Sequence, residues 1–169
     1  MNGSPLGAFL LIPFVLACFA LSPTARAVVP APDGGYPNDN TAEGDDALFS
    51  LDTSYGLDNT ALGFNALYTD TTGGDNTATG ASALYSNTIG YGNTATGEQA
   101  LALNTSGNSN TANGYIALAY NTTGYYNTAI GVAALYRMTT GNRNIALGYR
   151  AGINLTTGSS KIYIGNSWR

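Results

Sequence analysis

The sequence has no histidine, and its one cysteine, Cys18, lies in an N-terminal apolar stretch. Imidazole chemistry, a disulfide framework and a Cys/His metal centre are therefore excluded from everything downstream of that stretch. Charge is scarce as well. Only 9% of the 169 residues are charged, and the net charge is −4. No basic footprint exists for phosphate neutralisation, so nucleic acid is not an expected partner. Long apolar runs are absent except for Leu6 to Leu21, which Pro13 interrupts. Those 16 residues fall short of the ~20 that a membrane-spanning helix needs.

The apolar run is followed by Ala25-Arg26-Ala27, the small-residue pattern of a signal-peptide cleavage site. The expected organisation is a signal peptide over 1–27, a Pro/Gly-rich linker or N-terminal cap over 28–39, and a repeat domain over 40–169. The product is then secreted or displayed at the cell surface, with no membrane span after signal removal. An alternative cleavage is open: Val15-Leu16-Ala17-Cys18 loosely matches a lipoprotein box, which would lipidate Cys18.

What the chain has in abundance is Gly, with 22 residues, and Tyr, with 12. Asn and Thr are also frequent, a composition that fits disorder, but a strict period argues against it. Asn59, Asn76, Asn93, Asn110, Asn127 and Asn144 each open a copy of one unit, 17 residues apart, with Lys161 at the next step. An earlier copy opens at Asn40, 19 residues before Asn59. Position two is Thr, or Ile145 in one copy, and position three is Ala from Ala42 to Ala146. Position five is Gly in every copy, including Gly63, Gly80, Gly97, Gly114, Gly131 and Gly148. Positions eight and nine are Ala-Leu, except at Ala151-Gly152. A Thr column from Thr71 to Thr156 and a second Gly column from Gly73 to Gly158 close the unit.

Seventeen residues are too few for a pair of packed helices. They suit a coil of two strands of about five residues with two Gly corners, where Gly accepts a positive φ. The expected fold is all-β, a parallel β-solenoid (β-roll) of about seven coils. At ~4.8 Å per coil it makes a rod about 34 Å long. The Asn column is expected to form an amide ladder, Ala to line a narrow interior, and Leu to supply the larger apolar contact.

The motif Asn-Thr-Ala-x-Gly-x-x-Ala-Leu resembles the repeats of bacterial surface proteins and phage tail-fibre shafts. It is similar to the head repeats of trimeric autotransporter adhesins, which build a parallel β-roll in each of three chains. Lys161-Ile162-Tyr163-Ile164-Gly165-Asn166 looks like the sequence at which such arrays end. The resemblance spans about residues 40 to 166 and implies a homotrimer and an adhesive or structural role. The unit is longer than the adhesin-head unit. No coiled-coil stalk, membrane barrel or chaperone peptidase pattern accompanies it, so neither self-anchoring nor self-cleavage is expected.

Candidate chemistry is thin. Asp58 and Asp75 precede Asn at a corner, as in calcium-binding repeats, but Gly92, Ser109, Tyr126 and Arg143 occupy that column later. No metal and no cofactor are expected. Asp45, Asp46, Asp52 and Glu98 are the carboxylates available for glycoside hydrolysis, and no spacing singles out a pair. An ice-binding array would need two outward Thr on every coil, and only Thr77-x-Thr79 and Thr94-x-Thr96 meet that requirement. Phe49, Tyr68, Tyr85 and Tyr136 share column ten, which suits either self-stacking or recognition of a glycan or another surface. All ten carboxylates lie between Asp33 and Glu98, and five of six basic residues lie from Arg137 onward. That asymmetry reads either as chance with end-capping or as a head-to-tail attraction between molecules. The expected function is an exported, non-enzymatic structural or adhesive module acting through repeated surfaces. A self-assembling filament subunit and a polysaccharide-active enzyme are the alternatives.

Overall fold

A computed structural model describes residues 38–52 and 54–165. The expected signal peptide, Cys18 and most of the linker lie outside the described residues. So do Asn166 and the three residues after it. Among the described residues eight three-residue strands follow one another in chain order: β1 (Thr41–Glu43), β2 (Thr60–Leu62), β3 (Thr77–Thr79), β4 (Thr94–Thr96), β5 (Thr111–Asn113), β6 (Thr128–Ile130), β7 (Ile145–Leu147) and β8 (Ile162–Ile164). They form one parallel sheet in the order β1 to β8. Pairing is in repeat register throughout, as in Ala61↔Ala78 and Ala78↔Ala95. The chain is a β-solenoid, and its coil is the 17-residue unit.

The coil differs from the expected pair of five-residue strands. It has one strand of three residues, and its opposite wall is a run of turns. The reason is backbone conformation. The Leu of the Ala-Leu pair adopts a left-handed backbone in six coils, from φ 48° at Leu135 to 52° at Leu48. So does position seven in every coil, whatever its side chain: Asp46, Asn65, Ser82, Gln99, Ile116, Ala133 and Arg150. Two left-handed residues so close together bend the chain too sharply for a second extended strand.

Small side chains set the width of the interior. Ala61, Ala78, Ala95 and Ala129 on the strands face Ala66, Ala83, Ala100 and Ala134 and the Leu column, all fully buried. Each buried Leu contributes roughly 1.5–3 kcal/mol through its apolar surface. Leu51, Leu155 and Tyr163 pack against the two ends of this core. At the C-terminal end two departures from the repeat compensate each other. Tyr163 replaces the strand Ala, and Gly152 replaces Leu; a Cβ on Gly152 would lie 2.9 Å from the Tyr163 ring. The ring takes space that the missing Leu vacates.

The two Gly columns have different causes. Gly97 combines φ +124° with an added Cβ that would sit 2.7 Å from the Gly114 carbonyl carbon. The second column, Gly73 to Gly158, has no left-handed φ. A Cβ on Gly90 would instead collide with the Asn87 side chain and the Gly107 carbonyl. Positive φ thus explains the first column, and close approach between coils explains the second.

Candidate interaction site

The interior polar groups come first, because they show what is scaffold. Asn59, Asn76, Asn93, Asn110, Asn127 and Asn144 are buried. Each Oδ1 accepts the backbone N–H of the next residue in the column, as from Asn93 to Asn76 and from Lys161 to Asn144, both at 3.0 Å. The side-chain amide donates across the coil, as from Asn93 Nδ2 to the Gly107 carbonyl at 2.8 Å. These groups satisfy one another inside the rod and offer nothing outward.

A second ladder runs beside the first, and sequence reasoning missed it. Asn87 Nδ2 donates to Asp70 Oδ1 at 2.9 Å, Asn104 to Asn87 at 2.8 Å, and Asn121 to Asn104 at 2.7 Å. Asn87, Asn104 and Asn121 also donate to the carbonyls of Gly90, Gly107 and Gly124. The ladder stops at Met138 and begins at Asp70; among the described residues Asn121 Oδ1 has no donor and Asp70 Oδ2 has no partner. Burial pushes the Asp70 carboxyl up to about 7, against bonds from Asn87 and the Gly73 backbone that lower it. Enclosed in the ladder, Asp70 cannot meet a substrate.

Among the carboxylates available for hydrolysis, Asp45 and Glu98 stand far apart. Asp45 and Glu98 occupy the same column three coils apart, with Phe64 and Ala81 between them. At ~4.8 Å per coil that is about 14 Å, beyond the ~5–9.5 Å of glycosidase pairs. Among the described residues no three of His, Cys, Asp and Glu are placed to hold a metal ion.

Of the outward surfaces, two are candidates for contact. The first is the outer sheet face, formed by the first and third residues of each strand. It is polar around β3 and β4, where Thr77 pairs with Thr94 and Thr79 with Thr96. It becomes apolar toward its C-terminal end, where Ile130, Ile145, Leu147, Ile162 and Ile164 are 41% to 75% exposed. Among the described residues β8 has one neighbour, β7, and β1 has one neighbour, β2.

The second surface is the aromatic column. Phe49, Tyr68 and Tyr85 stack face to face, with centroids 5.1 and 5.2 Å apart. The column then loses its rings at Ala102 and Ala119 and resumes at Tyr136. Tyr120 leans against Tyr136 edge-on, centroids 4.9 Å apart. A hydrogen bond donated to Tyr120, with burial second, pushes the Tyr136 phenol above its usual value. The interruption leaves a notch of about 460 Å³, walled by Tyr85, Tyr120 and Tyr136, with Ala102 and Ala119 at its base. Asn65, Ser82 and Gln99 form one rim and Leu103 completes the lining. The gap in the column was visible in the sequence; that it opens outward beside three polar residues was not. Arg143 and Arg150, at the basic end, lie over the rings of Tyr126 and Tyr149 at 6.0 and 5.3 Å.

Comparison of the chain with family models, with curated proteins and with solved structures found no match. Among the described residues no helix is long and apolar enough to cross a membrane.

Proposed function

We propose that the chain is an exported, non-enzymatic module of the bacterial cell surface with a structural and adhesive role. The observation that carries this reading is the outer sheet face: eight strands in register, with an exposed apolar end from Ile130 to Ile164. An apolar patch of that kind marks a contact surface. A rigid rod also presents its outward columns at fixed spacing, so weak contacts add through avidity. The leader-like segment over 1–27 and the motif resemblance to adhesin heads and fibre shafts support export and display. Partners of this chemistry are further copies of the chain, as in a homotrimer, or a surface glycan or protein.

The test is display of residues 28–169 on beads at increasing density, with retention measured on plates coated with protein or polysaccharide. Retention should rise more steeply than density. Absence of retention at every density, or hydrolysis of the polysaccharide coat, would overturn the reading.

Among the described residues the outer edges of β1 and β8 carry no neighbouring strand, which favours a second reading, a head-to-tail filament. The acidic N-terminal and basic C-terminal halves would align such copies. Salt-sensitive polymers in light scattering are its expected signature, and a monodisperse species at both low and high salt removes it.

A further inference from the structure

We propose that the notch between Tyr85 and Tyr136 is a binding site for a neutral hexopyranose ring, as found in an oligosaccharide chain. Its geometry follows from the column it interrupts. Tyr85 is stacked on one face by Tyr68 and has nothing stacked on the other. The next rung is Ala102, so one ring thickness is missing there, and Ala119 leaves a second that Tyr120 partly fills from the side. With coils ~4.8 Å apart, Tyr85 and Tyr136 are separated by about 14 Å, and Tyr120 takes about 5 Å of it. The space left matches one flat ring on the free face of Tyr85.

The lining selects the chemistry of that ring. It holds no Asp, Glu, Lys or Arg, so a charged ligand would gain nothing. One wall is the unstacked phenol face of Tyr85, which pairs with the C–H face of a pyranose through its apolar area. The rim is an amide, a hydroxyl and an amide, from Asn65, Ser82 and Gln99, donors and acceptors suited to ring hydroxyls. A purely aromatic ligand would use the walls and leave the rim unmet. The site deepens the adhesive reading and rests on it, since one shallow notch gains biological weight only when many copies are displayed.

The test is titration of residues 28–169 with cello-, malto-, chito-, galacto- and manno-oligosaccharides to ~10 mM, followed by amide chemical shifts. Shifts should cluster at residues 82–85, 99–103 and 119–120 for at least one sugar. Ala102→Tyr should continue the stack, keep the fold and abolish binding. Tyr85→Ala should weaken it about tenfold, and Tyr126→Ala should leave it unchanged. Failure of every sugar to shift these residues, or binding that survives Ala102→Tyr, overturns the site. Bead retention without sugar binding removes the site and leaves the adhesive reading. Sugar binding without retention supports the site and removes that reading.

Discussion

Replacing Asp70 by Asn should abolish a pH dependence built into the second ladder. Asp70 stands where the other rungs carry an amide. Asn87 donates both to the rung below and to its own Gly90 carbonyl. A carboxylate at position 70 has no hydrogen for the corresponding bond, whereas a protonated carboxyl does. Burial therefore holds the group neutral, with its pKa moved from 3.8 to about 7. The sign follows from proton binding. Below 3.8 the folded and unfolded chains are both protonated there, and this residue costs nothing. Between 3.8 and about 7 the unfolded chain has released the proton and the folded chain has kept it, so stability falls as pH rises. Above about 7 both are ionised and the loss is complete. At about 1.4 kcal/mol per pH unit, the interval amounts to about 4 kcal/mol. Urea unfolding followed by circular dichroism, from pH 4 to pH 9, measures it. Asp70→Asn should match the parent near pH 4 and exceed it by an amount that grows to about 4 kcal/mol by pH 8. The difference between the two proteins isolates this residue from the other carboxylates. A constant difference across the range, or a parent more stable at pH 8 than at pH 5 relative to the variant, would refute the reasoning.

Three further substitutions test the coil geometry. Gly97→Ala should cost several kcal/mol, because its Cβ meets the Gly114 backbone, whereas Gly92→Asn, with nothing nearer than 3.5 Å to a Cβ, should cost under about 1 kcal/mol; the pair of midpoints decides. Ile116→Asn should raise the urea midpoint, since a β-branched residue held at φ 50° is strained by about 1–2 kcal/mol; an unchanged or lowered midpoint counts against that strain. Gly152→Leu should destabilise through collision with Tyr163, and adding Tyr163→Ala should recover most of the loss. Additive losses in that double-mutant cycle would show that the two positions do not compensate.

The fold was legible because its causes recur every 17 residues. The first Gly column, the inward Ala-Leu pair and the in-register sheet all leave the same residue at the same position. What did not recur was hidden. The second ladder is flanked in its own column by Leu51, Met138 and Leu155, so its Asp70, Asn87, Asn104 and Asn121 looked like ordinary members of an Asn-rich composition. The missing second strand depends on left-handed backbones at residues as unlike as Asp46, Ile116 and Arg150. Tertiary stacking holds those conformations, and no propensity of the side chains announces them. At the interaction surfaces the sequence showed a column of rings with a gap, but the polar rim comes from position seven of neighbouring coils, which only the closed coil brings alongside position ten.

The most direct measurement of the adhesive account is bead retention by the parent chain and by a variant carrying Ile145→Thr, Leu147→Thr, Ile162→Thr and Ile164→Thr together. Thr already occupies these outward columns in β3 and β4, so the variant should melt cooperatively like the parent. The account predicts that it loses density-dependent retention on protein-coated plates, where the sugar site plays no part. A folded variant retained as strongly as the parent would contradict the assignment of contact to the outer sheet face.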